Sequence, residues 1–395
     1  MVSGRQVESG SGPIRLGMVG GGQGAFIGAV HRIAARLDGE FALVAGALSS
    51  DPARAKASAA ELGLDPARSY GSFAEMAKAE AARQDGIEAV SIVTPNHVHY
   101  PAAKAFLEAG IHVICDKPLT STLADARKLA AVAAKSGRLF VLTHNYTGYP
   151  MIRQAREMVQ SGKLGDIRVV QAEYPQDWLT TKVEDTGAKQ AVWRTDPKQS
   201  GAGGATGDIG THAYNLARFV TGLELDQLAA DLTAFVPGRL LDDNAHVMLR
   251  FKAKGGGIPA KGTLWASQVA PGNENALKLR VYGTKGGLEW AQEDPNYLWY
   301  TPFGEPKRLI TRGGAGAGEA AGRVSRIPPG HPEGYLEGFA TIYAEAARAI
   351  RAARKKGGKP PKDVLFPTID DGVEGVAFVE ACVRSSKKNG AWTTL

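Results

Sequence analysis

The sequence predicts an α/β protein with two domains: a doubly wound parallel sheet, followed by an α+β domain with an open, mostly antiparallel sheet. Over the first 145 residues, short apolar, β-branched runs alternate with Ala/Leu/Lys/Glu stretches of helical spacing. After Pro150 this rhythm ends, and alternation of apolar and polar residues dominates positions 228–310. A length of 395 residues also exceeds what a single core usually supports.

The first domain is predicted over residues 13–146. Successive parallel strands need a crossover connection, usually a helix, so alternating strands and helices predict a Rossmann sheet. Residues 1–12 form a lead-in that we expect to be disordered, because it is rich in Gly and Ser. It lacks the apolar segment of a signal peptide, so we do not interpret it as one. The predicted strands are 14–19, 41–47, 88–93, 111–115 and 139–142.

The second domain is predicted over residues 147–395. Its runs AHVMLRFKA, GTLWASQV and ALKLRVYG alternate apolar and polar side chains, which is typical of an antiparallel or mixed sheet with one covered face. The Gly/Ala-rich stretch 313–322 is predicted to be a mobile loop. Helices are predicted at 151–161, 211–221, 333–355 and 369–388.

Composition narrows the class of protein. Hydrophobic residues make up 44% of the chain and charged residues 22%, which excludes disorder over most of its length. Cys115 and Cys382 are too few for a disulfide framework or a thiolate zinc site. No apolar run reaches the roughly 18–20 residues of a membrane span. We therefore expect a soluble protein of the reducing cytoplasm, with no membrane partner.

The formal net charge of +7 comes from one short segment. Without its seven basic residues, the remaining 40 lysines and arginines balance the 40 acidic residues. Cations suit a helix C-terminus, so we interpret the segment as a solvated helix cap and expect no nucleic-acid partner. The seven residues are Arg348, Arg351, Arg354, Lys355, Lys356, Lys359 and Lys362.

A glycine-rich turn joins the first strand to the first helix, with the pattern Gly20-x-Gly22-x-x-Ala25. Glycines at this point allow the backbone to approach a pyrophosphate that the amides at the helix N-terminus bind, so the turn predicts a dinucleotide site. Gly24 and Gly28 permit other registers, which makes Ala25 the least secure position. The predicted cofactor contacts of this turn are Gly20, Gly22, Gln23, Ala25 and Phe26.

The end of the second strand bears on the choice between NAD and NADP. Serines stand at positions 49 and 50, where an acid often binds the adenosine ribose. Ser49, Ser50 and Arg54 can hold a 2′-phosphate, whereas Asp51 can still turn back to a ribose. We expect NAD or NADP, with a slight preference for NADP. Arg54 is equally consistent with a solvated helix face.

Two further segments, HVICDKPLT (112–120) and GGATGDIGTHAYNLARFVTG (203–222), together with TPNHVH (94–99) and the glycine turn, resemble the Gfo/Idh/MocA family. This family comprises nicotinamide-dependent sugar and polyol dehydrogenases, including inositol dehydrogenase-like and glucose-fructose oxidoreductase-like members. The most specific matches are Asp116-Lys117-Pro118, in place of the family's Glu-Lys-Pro, and the spacing of Asp208 and His212. The resemblance implies a sugar or polyol substrate and a homodimer or homotetramer.

The chemistry of alcohol oxidation explains three of these residues. Removing a hydroxyl proton while hydride leaves the same carbon requires a base and an electrostatic stabiliser, and His212 suits the base. Asp208, four residues earlier, lies on the same face if the segment is helical. Lys117 follows an apolar strand at the ligand edge of the sheet, where a cation can stabilise an alkoxide. The resemblance assigns the catalytic roles to Lys117, His212 and Asp208, the last to orient substrate or tune the histidine.

The resemblance implies further contacts, each with a structural alternative. Tyr146 and Tyr149 can line the cleft or pack between domains, and Arg194, with Trp193, can bind a sugar hydroxyl or pair with an acid. His331 can reach the pocket or simply precede a helix. The remaining predicted cofactor contacts are Thr94, Pro95, Asn96, His99, Asp116 and Lys117. Lys117, Asp208 and His212 are also predicted to contact the substrate.

Asn215 departs from the family pattern, and the pair His97 and His99 raises the question of a metal site. Asn215 stands where the family commonly has Asp, which removes a second carboxylate from the site. His97 and His99 have the spacing of metal ligands, but no carboxylate or cysteine accompanies them, so we predict no metal.

The favoured function is reversible hydride transfer between NAD(P) and a secondary hydroxyl of an inositol, hexose or glycoside. One alternative is a non-catalytic dinucleotide-binding sensor of the same fold. Another is dihydrodiol oxidation, or reduction of a cyclic imine or enone, on the same scaffold.

Overall fold

The computed structural model describes residues 12–253, 257–355 and 358–395, which group into two compact units. Within these limits the first unit comprises residues 12–120, 124–148 and 335–373, and the second comprises 121–123, 149–334 and 374–395. The predicted lead-in, apart from Gly12, lies outside the described residues. None of the described helices is long and apolar enough to cross a membrane.

A five-stranded parallel sheet forms the centre of the first unit, as predicted. Its strands are β1 (Ile14–Gly20), β2 (Phe41–Ala47), β3 (Ala89–Val93), β4 (His112–Cys115) and β5 (Phe140–Leu142). The first five helices are α1 (Phe26–Leu37), α2 (Pro52–Glu61), α3 (Phe73–Ala81), α4 (Asn96–Glu108) and α5 (Leu123–Ser136). Every residue of β3 and β4 is buried, which explains their continuous apolar character.

The register of this sheet brings three strand ends to one edge. The strand order is β2-β1-β3-β4-β5, so β1 and β3 flank the crevice in which open parallel sheets bind ligands. Gly20 lies opposite Val93, and Ile92 lies opposite Cys115. The glycine turn, the segment from Thr94 and the segment from Asp116 therefore emerge side by side.

An eight-stranded, mostly antiparallel sheet forms the centre of the second unit, also as predicted. Its strands are β6 (Ile167–Pro175), β7 (Leu225–Thr233), β8 (Asn244–Phe251), β9 (Lys261–Ser267), β10 (Lys278–Gly283), β11 (Gly286–Ala291), β12 (Tyr297–Pro302) and β13 (Arg308–Thr311). They lie in the order β13-β12-β11-β10-β6-β9-β8-β7, with β6 and β9 parallel. The other neighbouring strands run antiparallel.

In the described parts of the chain, helices cover one face of this sheet and leave the other open. The remaining helices are α6 (Pro150–Gln160), α7 (Lys189–Arg194), α8 (Pro197–Ser200), α9 (Thr211–Thr221), α10 (Glu319–Gly322), α11 (Tyr335–Ala353) and α12 (Ile369–Ser386). Helices α6 and α9 pack against the sheet. Along β8, Val247 and Leu249 are buried, whereas Met248 is 53% exposed on the opposite face. Alternation of this kind is what the sequence predicted.

The Gly/Ala-rich stretch 313–322, predicted to be a mobile loop, contains the short helix α10. The backbone N–H of Gly318 donates to the side chain of Gln154, and that of Ala320 donates to Glu157 Oε2 at 3.3 Å. Both acceptors lie on α6, so this stretch is tied to a neighbouring helix.

Helix α11 differs from the predicted domain boundary, because it belongs to the first unit although it follows the second sheet in sequence. Its residues Phe339, Ile342 and Ile350 pack in one buried cluster with Ile14 and Leu16 of β1. The apolar face of α11 is therefore buried against the first sheet, and residues 147–395 do not form one continuous domain.

The basic segment 348–362 also differs from its interpretation as a solvated cap. The Arg351 side chain forms an ion pair with Glu40, and both side chains are only 11% exposed. Arg354 pairs with Glu88 at 2.7 Å, and Arg348 pairs with Asp363 at 2.8 Å. These acids lie within the first unit, so much of the local charge is neutralised by structural ion pairs. Lys356 lies outside the described residues.

Candidate functional site

The glycine turn of the first unit has backbone geometry that other residues rarely adopt. Gly20 and Gly21 have φ angles of +77° and +71°. A Cβ atom at Gly22 would lie 2.7 Å from the carbonyl oxygen of Leu48. The turn can therefore approach a bound phosphate with backbone atoms alone.

Gly28, which the sequence left open, has a packing role. A Cβ atom there would collide with the backbone of Gly21, so α1 lies close against the end of β1. This is the role of the third glycine in dinucleotide-binding turns. Ala25, the predicted third position, instead precedes the first residue of α1.

The N-terminus of α1 is suited to an anion. Among the described residues it has no side-chain cap and no acid in its first turn. A cleft of about 270 Å³ adjoins it, and the predicted contacts Gln23 and Phe26 line the cleft together with Arg32 and Ser58. The Gln23 N–H donates to Ser58 Oγ at 3.0 Å, and Arg32 donates to the Gly21 carbonyl at 2.6 Å. Sequence patterns did not indicate Arg32 or Ser58, which join the turn only through folding.

An acidic residue after β2, Asp51, caps the next helix. Asp51 Oδ1 accepts a hydrogen bond from the Arg54 N–H at 2.7 Å, so this carboxylate caps α2. Ser49 Oγ accepts from the Asp51 N–H at 3.1 Å. The side chains of Ser50 and Arg54 are exposed at the start of the same helix.

The segment after β3 presents a polar atom to the same edge. Thr94 Oγ1 is buried and has no hydrogen-bond partner among the described residues, and its Cγ2 lies beside Gly20. Pro95 and Asn96 follow at the start of α4. A buried hydroxyl of this kind fits a bound cofactor, because an unsatisfied polar group is otherwise costly.

His99 has a different role from the direct cofactor contact that we predicted. Its ring is fully buried, with Nδ1 2.7 Å from the Pro118 carbonyl and Nε2 2.9 Å from the Thr94 carbonyl. Burial lowers the pKa of His99, so the neutral ring donates to one carbonyl at a time. It therefore links the segment after β3 to the segment after β4. Among the described residues no group of acids, histidines and cysteines could hold a metal.

The segment after β4 is held by Asp116. Its Oδ1 accepts from the Lys117 N–H at 2.9 Å and from Thr143 Oγ1 at 3.0 Å. Lys117 is partly exposed and belongs to the first unit. Burial lowers the pKa of His144 to about 3, and the positive charge of Lys117 contributes to this shift. The Lys117 ammonium therefore lies near a neutral imidazole.

The second unit contains Asp208 and His212, and its local structure differs from the predicted simple helix. Residues Thr206–Gly210 form a π-helical turn that leads into α9, a feature frequent at functional sites. Asp208 Oδ2 accepts hydrogen bonds from Arg194 Nε at 3.1 Å and Gln268 Nε2 at 2.9 Å. The sequence indicated Arg194, whereas Gln268 lies 60 residues away and carried no signal.

Aromatic side chains surround this carboxylate site. The Arg194 guanidinium lies 4.3 Å from the centre of the Trp193 ring and 6.0 Å from that of Trp178. His212 is buried, and its ring centre lies 6.3 Å from that of Tyr174. The second unit thus combines a carboxylate, an imidazole, amides and indole faces.

Other predicted residues lie elsewhere. Tyr149 is 1% exposed and packs edge-on against Trp290, so it is a core residue of the second unit. Tyr146 is buried in the first unit, with its ring centre 6.4 Å from that of Tyr335. His331 is exposed.

A parallel sheet with a glycine turn and an uncapped helix N-terminus at its switch point, together with the carboxylate–histidine site of the second unit, fits a nicotinamide-dependent oxidoreductase. Family models agree: residues 14–146 match "Oxidoreductase family, NAD-binding Rossmann fold", and residues 152–289 match the GFO/IDH/MocA C-terminal domain. The chain belongs to the Gfo/Idh/MocA family of oxidoreductases, and it is an NAD(P)-dependent dehydrogenase.

Individual relatives cover nearly the whole chain. An oxidoreductase from Sinorhizobium meliloti is 66% identical, covers 97% of this chain and 100% of its own, and superposes with a TM-score of 0.88. An inositol dehydrogenase homologue from Azotobacter vinelandii, solved with NADH and myo-inositol, is 37% identical over 98% of both chains, with a TM-score of 0.90. Levoglucosan dehydrogenase from Pseudarthrobacter phenanthrenivorans is 29% identical over 95% of this chain and 96% of its own.

Proposed function

We propose that this enzyme transfers hydride reversibly between NAD(P) and a secondary hydroxyl of a cyclic polyol or sugar, such as an inositol, a hexose or a glycoside. The observation that carries the proposal is the Asp208 carboxylate, held by Arg194 and Gln268, four residues before the buried His212. Carboxylate and amide groups at this site can pair with hydroxyl groups. The relatives solved or named with myo-inositol and levoglucosan support this substrate class.

The proposed chemistry divides the work among three side chains. The nicotinamide, when bound, supplies the hydride acceptor. His212 removes the hydroxyl proton, because an imidazole titrates near neutral pH. The Lys117 ammonium stabilises the developing alkoxide, and Asp208 orients the substrate hydroxyls. The reaction oxidises a neutral alcohol to a ketone or a lactone.

We propose a preference for NADP over NAD. The Asp51 carboxylate caps α2 and is thereby engaged, while Ser50 and Arg54 are exposed at the same helix end. Arginine is well suited to bind a phosphate. Against this preference, the inositol dehydrogenase homologue was solved with NADH. Titrating the protein with each cofactor in turn decides between them.

We also propose that the open face of the second sheet joins copies of this chain into a dimer or tetramer. Met248, Val169 and Trp299 are each at least 39% exposed on strands of this sheet. Light scattering of the purified protein tests the assembly, and Met248→Glu should weaken it.

The experiment that tests the function measures reduction of NAD and NADP with inositols, hexoses and glycosides. A trans-dihydrodiol and, in the reverse direction, a cyclic imine and an enone complete the panel. Turnover on a polyol or sugar supports the proposal. Cofactor binding without turnover on any compound would instead favour the sensor, and turnover confined to the last three would favour the other reactions.

A further inference from the structure

Asp242, which lies just before β8, holds the beginning of the helical segment that carries Asp208. Asp242 Oδ1 accepts from the Gly204 N–H at 2.7 Å. Asp242 Oδ2 accepts from the Thr206 N–H at 2.8 Å and from the Thr206 hydroxyl at 2.7 Å. The Asp242 carbonyl accepts from the Ala205 N–H at 2.8 Å. One buried residue therefore satisfies three successive backbone amides at the start of the segment.

A short chain of hydrogen bonds connects Asp242 to the backbone of Asp208. The Asp208 N–H donates to the Gly204 carbonyl at 2.8 Å, so the backbone of Asp208 is two hydrogen bonds from the Asp242 carboxylate. A Cβ atom at Gly204 would collide with the Asp242 carbonyl, which shows how closely the two backbones approach. Asp242 therefore contacts the residues that lead into the π-helical turn.

Asp243, next to Asp242, contacts Gln268, the hydrogen-bond partner of Asp208. The Gln268 N–H donates to the Asp243 carbonyl at 2.8 Å, and the Gln268 side chain donates to Asp208 Oδ2 at 2.9 Å. The Asp242–Asp243 dipeptide therefore contacts both the turn that bears the carboxylate and the strand end that bears its hydrogen-bond donor.

The hydrogen-bond donors around position 242 favour a carboxylate there. All three groups that contact its oxygens are hydrogen-bond donors, and an asparagine would turn an NH₂ group toward at least one of them. Burial raises the pKa of Asp242, and the three hydrogen bonds oppose that shift. An amide at this position would leave a buried donor unsatisfied.

We propose that Asp242 is a positioning residue for the reaction, which holds Asp208 in register with Gln268. The proposal rests on the proposed function, since it assigns Asp208 a role in orienting the substrate. A displacement of about 1 Å at such a site can cost roughly 10²-fold in rate.

The test uses graded variants of the full-length enzyme on the polyol or sugar with the best turnover. We expect Asp242→Asn to lower kcat by about 10²-fold and Thr206→Val, which removes one donor, by about tenfold. Thr206→Ser keeps the hydroxyl and should restore wild-type kcat. Asp294→Asn removes an exposed carboxylate of the same unit, in the turn between β11 and β12, and serves as the matched control.

Rates are normalised to cofactor-binding sites, since a merely structural role would reduce the folded fraction and leave kcat per site unchanged. Wild-type kcat per site in Thr206→Val and Asp242→Asn would overturn the proposal. If Asp242→Asn does not fold, Thr206→Val decides.

A crystal structure of Thr206→Val provides a second readout that does not depend on turnover. We expect the Asp208 carboxylate to move by about 0.5 Å or more from Gln268, the tolerance of a preorganised site. An unmoved carboxylate would contradict the proposal. Absence of wild-type turnover on every compound defeats the proposed function instead, and the crystal structure still tests Asp242.

Discussion

The cofactor edge of the first unit and the carboxylate–histidine site of the second are built by different means. The first consists mainly of backbone: glycines with positive φ, an uncapped helix N-terminus and three strand ends in register. The second consists of side chains held by residues that are distant in sequence, such as Gln268 and Asp242. A backbone site depends on local geometry, whereas a side-chain site depends on its supporting contacts.

The largest expected difference between the two units is in their stability at low pH. Burial lowers the pKa of His31 and His112 to about 4 and that of His144 to about 3, and all three lie in the first unit. Above pH 6.5, the ordinary pKa of histidine, these three side chains are neutral in both the folded and the unfolded state. As pH falls toward 4, the unfolded state binds protons that the folded state excludes, so each histidine costs about 1.4 kcal/mol per pH unit.

Fluorescence can measure this difference, because all six tryptophans belong to the second unit. Between pH 6.5 and 5 we expect cofactor binding to weaken before tryptophan emission changes. His112→Asn keeps an acceptor for the Leu139 N–H and removes one titration, so it should reduce the pH dependence. Simultaneous loss of both signals would mean that the two units do not differ in acid stability.

Replacing the proposed base should stop the chemistry while leaving the cofactor edge intact. We expect His212→Asn to lower kcat by roughly 10²-fold or more, the usual size of a lost general base. Cofactor affinity, measured by titration, should stay near wild type. His246→Asn changes an exposed histidine on the open sheet face of the same unit and should leave kcat unchanged. Near-wild-type turnover in His212→Asn would remove the histidine from the mechanism.

Gly22→Ala should weaken cofactor binding at the glycine turn and leave the carboxylate–histidine site of the second unit intact. The added methyl of Gly22→Ala would lie 2.7 Å from the Leu48 carbonyl, so the turn must shift. We expect the cofactor Kd to rise by roughly tenfold or more, at a cost of about 1.4 kcal/mol. At saturating cofactor, kcat should recover. Gly375→Ala, where no heavy atom lies within 4 Å of the added methyl, is the control.

A smaller effect should follow from weakening one support of Asp208. Arg194→Lys keeps the positive charge but loses the planar guanidinium that bonds Asp208 and stacks on Trp193. We expect kcat/KM to fall by about tenfold, the size of a lost charge-assisted hydrogen bond. Arg168→Lys, at an exposed position of β6, should leave kcat/KM unchanged. An unaffected Arg194→Lys enzyme would show that Gln268 alone holds the carboxylate.

The smallest expected effect concerns the choice of cofactor. If Arg54 binds a 2′-phosphate, Arg54→Ala should weaken NADP binding about fivefold, near 1 kcal/mol, without changing NAD binding. Lys56→Ala, on the exposed side of the same helix, is the control. Equal changes for both cofactors would contradict a specific phosphate contact.

The extent of prediction from sequence differed between the two regions. The five parallel strands and the position of the glycine turn follow from local periodicity and spacing, and the structure has them at the predicted places. Residues whose roles depend on long-range packing were missed, including Arg32, Ser58, Gln268 and Asp242, and Gly28 was left only as an alternative register. His99 was found but assigned a direct contact, because its spacing does not reveal that both ring nitrogens face carbonyl oxygens.

The sequence by itself determined the order of strands and helices, the glycine turn and the short segments that contain Lys117, Asp208 and His212. These depend on neighbouring residues, whose periodicity and turn chemistry act over a few positions. Tertiary structure alone decided that α11 covers the first sheet and that the basic segment pairs with Glu40 and Glu88. Such contacts join residues more than 250 positions apart, and only the buried apolar faces that fold together bring them into reach.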